Sequence, residues 1–192
     1  KIIQDTGFII VPQITEDKKQ IHISFDDGYL GLYENIDVIS ELNVPVEVFV
    51  STSFLGTNQY ITKSQLSDLI SSRLIRISSH SHTHSRLDML SSDNLEYDLR
   101  KSKEILEDII SANVNNIAYP FGKFSPAVID AANKTGYINQ FSSIPGPFFS
   151  ELFPYVKRRS LVQDLSGRYF YAVLKGGDNI LSSWYFKKHF SL

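Results

Sequence analysis

The sequence contains no cysteine. That excludes disulfides, cysteine-ligated zinc and a thiol nucleophile, and it leaves the compartment open. No apolar run approaches the roughly 18 residues of a membrane-spanning helix. There is no Gly-x-Gly-x-x-Gly and no P-loop, so neither a dinucleotide fold nor a nucleotide phosphate cradle is supported. Charge of one sign is also lacking. Nineteen basic side chains face 21 acidic ones, for a formal net charge of −2. No basic block stands out, so nucleic acid and an anionic membrane are not favoured partners.

What is present is a chain of 192 residues, 42% hydrophobic and 21% charged, which is ordinary globular usage and one domain's length. A chain of this size buries roughly 70% of its unfolded surface, so its core needs no staples. Aromatic residues reach 12%, a slight surplus that suits sugar-binding clefts and ordinary cores alike. The sequence begins at Lys1 rather than Met, which leaves room for an upstream signal or anchor.

The pattern alternates between strand and helix. Phe8–Val11 reads as a short strand and residues 21–26 as the first core strand, with Ile21, Ile23 and Phe25 alternating against His22 and Ser24. Residues 31–43 carry Leu32, Ile36, Ile39 and Leu42 at helical intervals, and Pro45 follows as a stop. Further strands are expected at 46–50, 74–78, 117–119, 137–142 and 155–162. Helices are expected at 62–72, 92–111 and 125–136, with terminal helices at 167–174 and 181–189. This order implies a parallel sheet with helices outside, whose C-terminal strand ends carry the chemistry. Those ends are Asp26-Asp27, His80–His84 and Pro120-Phe121, and all three should emerge on one rim.

Two adjacent carboxylates at the mouth of an apolar strand are costly unless paired or bound to a metal. Asp27-Gly28 is equally a turn signal, and Asp also caps helices. The histidines favour a site over a turn. Three of the chain's five His fall at 80, 82 and 84, just past another strand. His80 and His84 are spaced to converge on one ion, and imidazole with carboxylate suits zinc, cobalt, nickel or iron. Two His and an Asp with open coordination positions make a catalytic rather than a structural centre. His82 points away from its neighbours and is expected to be structural or part of a cleft wall.

Phe25-Asp26-Asp27-Gly28-Tyr29 and His80-Ser81-His82-Thr83-His84 resemble the first two motifs of the polysaccharide deacetylase family, the NodB-homology or chitin deacetylase-like carbohydrate esterases. Ala118-Tyr119-Pro120-Phe121-Gly122 resembles the third motif, with Ala where many members carry Arg. The resemblance spans about residues 20–165. It implies an α/β fold, a distorted (β/α) barrel of about seven parallel strands. It implies one catalytic domain over 1–192, with 166–192 a terminal helical extension. It further implies that Asp27, His80 and His84 bind a divalent metal, foremost zinc, and that Asp26 is the general base. The backbone N–H of Phe121 would stabilise the oxyanion, and Arg159 rather than Arg158 would replace the absent third-motif Arg. The implied substrate is an acetylated glycan, and the implied setting extracellular or cell-envelope. The family's last motif, which supplies a histidine general acid, is not recognisable after residue 165, where His189 is the one His. Phe54, Tyr60, Phe148 and Phe149 are candidates for stacking on sugar rings as well as for core packing.

Overall fold

The computed structural model describes residues 2–16, 19–149, 156–163 and 166–191. After a short N-terminal helix, α1 (Ile2–Asp5), two brief strands, β1 (Ile9–Ile10) and β2 (Gln20–Ile21), pair in parallel with each other. The main sheet then assembles in chain order from β3 (Ile23–Phe25), β4 (Val46–Val50), β5 (Ile75–Ser79), β6 (Asn116–Ala118), β7 (Asn139–Phe141) and β8 (Val156–Lys157). Every neighbouring pair in it is parallel. The helices between them are α2 (Leu30–Glu34), α3 (Ile36–Leu42), α4 (Lys63–Leu69), α5 (Ser92–Ile110) and α6 (Pro126–Thr135). Two more, α7 (Gly167–Leu174) and α8 (Ser182–His189), follow the last strand. This is the curled parallel sheet with surrounding helices expected of a distorted barrel, six strands in the main sheet plus a separate pair.

Strand alternation sorts side chains into two environments. Val46, Val48, Val50, Ile75, Ile77 and Ile117 turn outward and meet Leu66 and Leu69 of α4 and Leu95, Leu99 and Leu106 of α5 in one buried cluster. Each such fully buried aliphatic side chain stabilises the fold by about 1.5–3 kcal/mol. Phe49, Ala118 and Phe141 turn inward and form a separate small cluster. Below it, toward the N-terminal strand ends, the interior is polar: Glu47 and Asn116 are buried there and hydrogen-bonded to each other.

The helices begin where capping chemistry places them. Thr62 and Gln65 form a reciprocal capping box at α4, Ser91 accepts the Asn94 N–H at α5, and Ser125 precedes Pro126 at the first position of α6.

Four sequence expectations shift. The helix expected over 31–43 is two helices, because Asn35 Nδ2 donates to Gly31 O (2.8 Å) and its backbone leaves helical geometry. The first core strand divides at His22, where the chain leaves its pairing with β1 for pairing with β4. The fifth expected strand begins at Asn139 rather than Tyr137, whose ring is buried and whose hydroxyl donates to Leu99 O (3.1 Å). Of the expected 155–162 strand, Val156–Lys157 pair with β7, residues 158–162 are not strand, and Tyr155 lies outside the described residues.

Candidate active site

Three strand ends meet on the C-terminal rim. Past β3, the chain turns sharply: Asp27 has φ +71°, Gly28 has φ +81°, and the Gly28 N–H reaches back to Asp26 O (3.0 Å). A Cβ on Gly28 would lie 3.3 Å from Val50 Cγ1, so both the left-handed backbone and the close approach require glycine there. The turn foreseen from Asp-Gly is thus present, and it is the device that presents both acids.

Past β5, His80 is buried at 3% exposure. Its Nδ1 lies 2.8 Å from Ala118 O. A carbonyl only accepts, so Nδ1 carries the proton and Nε2 keeps its lone pair. That lone pair faces Asp27 Oδ1 at 3.4 Å, and His84 Nε2 lies 3.0 Å from the same oxygen. Neither contact has hydrogen-bond alignment, so Asp27 Oδ1 is buried without a hydrogen-bond partner. Asp27, His80 and His84 therefore bring three ligand atoms within 4.8 Å of one another. A buried acceptor with no donor, converging with an imidazole lone pair, is what a divalent cation would satisfy, and the donor set fits zinc-type metals.

Electrostatics support that reading. Burial, the largest influence on His80, outweighs the pull of Asp26 and holds its pKa below the ordinary imidazole value, favouring the neutral ligand form. Burial works to raise the Asp27 pKa, but its contact with His84 brings it down overall. Beside it, Asp26 is held by Arg159 in a two-pronged pair, Nη1 to Oδ1 at 2.6 Å and Nη2 to Oδ2 at 2.8 Å. Burial opposes ionisation of Asp26 too, yet the Arg159 guanidinium more than offsets it and lowers the pKa to about 2.

Arg159 is itself fixed. Nε donates to Ser142 O (3.1 Å), Nη1 also reaches Ser24 Oγ (3.1 Å), and the guanidinium lies 5.0 Å from the Phe49 ring centroid. It spans the gap between the sheet's first strand, β3, and the segment after its last, β8. Arg158 points elsewhere and donates to Ser182 Oγ (2.8 Å) at the start of α8. Of the two arginines, Arg159 is the one that meets Asp26.

On the third strand end, Phe121 has φ +59° and its ring, 56% exposed, lies 4.8 Å from that of His84. A bulky residue in the left-handed region is strained. Next to it Gly122 has φ +64°, and a Cβ there would come within 2.6 Å of His189 Nδ1. His189 is buried behind this turn, its Nδ1 3.3 Å from Gly122 O and its ring 5.3 Å from Tyr185. It backs the turn. His82 also stays apart from the cluster, with Nδ1 2.8 Å from Thr52 Oγ1 and its ring edge-on to Tyr97.

Of the candidate stacking rings, Phe54 and Tyr60 join a chain of contacts from Tyr29 to His84: Tyr29–Tyr60 4.9 Å, Phe54–Tyr60 4.6 Å, Phe54–His84 5.5 Å. Phe148 instead packs on Phe141 and joins Phe149 in the lower half of the barrel. One buried acid beside the site escaped the motif reading: Asp98 of α5, at 2% exposure, accepts the backbone N–H groups of His82 and Thr83. Its signal was an acid on the apolar stripe of an otherwise regular helix.

The model for polysaccharide deacetylases matches residues 13–139. YxkH of Bacillus subtilis (strain 168), whose name assigns it provisionally to the polysaccharide deacetylases, is 26% identical over 157 residues. That alignment covers 76% of this chain and 56% of YxkH, so the chain spans little more than half of that relative's length. Among solved structures, the Streptococcus pyogenes deacetylase PplD in complex with acetate superposes with a TM-score of 0.79 at 17% identity, covering 91% of this chain and 82% of that one. A CE4 family pseudoenzyme from Bacillus anthracis, BA3943, also shares the fold, with a TM-score of 0.60, 18% identity and 71% and 47% coverage.

Proposed function

This chain belongs to the polysaccharide deacetylase family, and within it we propose a metal-dependent hydrolase that removes N-acetyl groups from an N-acetylhexosamine-containing polysaccharide or glycoconjugate, releasing acetate. The observation that carries this reading is the pairing of Arg159-held Asp26 with the Asp27–His80–His84 cluster one residue away. Adjacent acids with different partners are the usual way for one site to separate ligand and base.

Asp27, His80 and His84 would hold the cation, with zinc the first expectation and cobalt, nickel or iron compatible with the same donors. Such a cation supplies Lewis acidity, which makes water a better proton donor and polarises a carbonyl oxygen. Asp26 Oδ then takes the proton of the attacking water, each oxygen keeping a lone pair beyond its bond to Arg159. Arg159 keeps that carboxylate ionised and aimed. The Phe121 N–H, on the left-handed turn at the third strand end, donates to the developing oxyanion. With His189 buried behind the turn, the proton gained by Asp26 is the one returned to the leaving nitrogen.

One observation favours a second reading. The burial of His189 leaves no recognisable equivalent of the family's general acid among the described residues, and a pseudoenzyme shares the fold; a glycan-binding relative without turnover is the alternative. Acetate release from acetylated chitooligosaccharides and from acetylated xylan, by zinc- or cobalt-loaded protein, separates the cases. Release from the first supports the proposal, and release from xylan alone makes the chain an O-acetyl esterase. No release from either supports the binding reading.

A further inference from the structure

We propose that Asp98 is a positioning residue for the metal centre: through α5 it holds the His80–His84 loop in its ligating shape. This inference rests on the metal-site reading of Asp27, His80 and His84.

Within five residues of the end of β5 the loop must turn back so that His84 faces Asp27. It does so with Ser81 at φ +68° and His84 at φ +55°, backbone that non-glycine residues adopt only when their surroundings enforce it. A loop in that shape cannot satisfy its N–H groups through sheet or helix bonds. Asp98 takes two of them, His82 N–H to Oδ1 at 2.7 Å and Thr83 N–H to Oδ2 at 3.0 Å, and the Thr83 hydroxyl adds a third bond to Oδ2 at 2.5 Å. Among the described residues no lysine, arginine or histidine forms an ion pair with Asp98. A carboxylate at 2% exposure with donors alone for company is costly to a fold that needs only packing at that position. Leu95, Leu99 and Leu106 fill the same stripe with aliphatic side chains.

One turn further along α5, Ser102 completes the grip. Its hydroxyl bonds to Ser81 O (3.0 Å) and lies 2.8 Å from Ser79 Oγ, which in turn accepts the Ser81 N–H (3.1 Å). The helix thus grips the loop through both N–H and C=O groups, and His84 N–H is left to Ser81 Oγ (3.1 Å) within the loop. Groups that orient ligands in this way typically change metal affinity by about 10–100-fold when removed.

The test is Zn(II) affinity, measured by competition with a chromophoric chelator, on wild type, Asp98→Ala, Asp98→Asn and Thr83→Val. Each protein is checked for its fold by far-ultraviolet circular dichroism at the titration temperature. The expected result is a loss of about 10–100-fold for Asp98→Ala, a smaller loss for Asp98→Asn, which keeps one acceptor, and the smallest for Thr83→Val. Wild-type affinity in folded Asp98→Ala, or in folded Asp98→Asn should the alanine variant not fold, overturns the inference and leaves Asp98 a packing residue. Absence of Zn(II) binding by the wild type overturns the metal-site reading itself, and this inference with it.

Discussion

The two ends of the barrel interior hold the same kinds of side chain and use them differently. At the lower end, His22 and Glu47 lie 3.1 Å apart, beside a cavity of about 130 Å³ that Arg76, Asn116, Asn139 and Lys157 also line. At the upper end, His80 and His84 face Asp27 at similar distances. Phe49, Ala118 and Phe141 separate the two. The lower acid is supplied: Glu47 Oε1 accepts from Ser78 Oγ and from Asn116 Nδ2, and His22 adds its ring at Oε2. The upper acid is not, since both imidazoles approach Asp27 Oδ1 without a hydrogen bond. His22 Nε2 is likewise buried without an aligned partner, but it meets one acid that already has other donors, and two cations line the same cavity. Residue type alone does not distinguish a structural network from a metal centre. The number of ligand atoms that converge without partners does.

The largest effect is expected at the upper end: Asp26→Asn should lower acetate release by about 10²–10⁴-fold while Zn(II) binding stays within a few-fold of wild type. Wild-type turnover by Asp26→Asn would mean that another group is the base. At the lower end, Glu47→Ala should cost about 3 kcal/mol of stability in urea unfolding, because Ser78 and Asn116 lose their shared acceptor and His22 its ion-pair partner. Its Zn(II) affinity should be unchanged; a large loss of metal would show that the two ends are not independent.

Acid should weaken the lower network as well. Burial tends to raise the Glu47 pKa, but His22, Ser78 and Asn116 bring it below the ordinary glutamate value. A depressed carboxylate contributes stability above its unfolded pKa of about 4.3 and loses it as the pH falls through its folded value. The stability gap between wild type and Glu47→Gln should therefore be full at pH 7 and shrink below about pH 4. A gap that widened on acidification would contradict the direction of the shift. The smallest effect is expected at Arg158, which bonds Ser182: Arg158→Ala should change turnover by less than about twofold, whereas Arg159→Ala should impair it severely.

The sequence made the upper end legible in parts. Asp26, Asp27, His80 and His84 stood out because strand periodicity ran straight into them, and the structure places all four on one rim. Arg159 was reachable only through the family resemblance, since nothing local marks an arginine that meets its acid across 133 positions. Asp98 lay in plain view on the apolar stripe of α5, but its meaning depends on a loop brought to it by β5. The parallel order of the sheet followed from alternating patterns. The break at Asn35 and the late start of β7 did not, because a side-chain bond to Gly31 and the burial of Tyr137 overrode the local signal. The lower network was invisible for the same reason as Arg159: Glu47, Ser78 and Asn116 lie on three different strands.

The most direct measurement is an anomalous difference map from crystals soaked in Zn(II), recorded on both sides of the zinc edge. One strong interior peak is expected, bounded by Asp27, His80 Nε2 and His84 Nε2, with none between His22 and Glu47. A peak at the lower pair, or no peak at the upper cluster, would contradict that expectation.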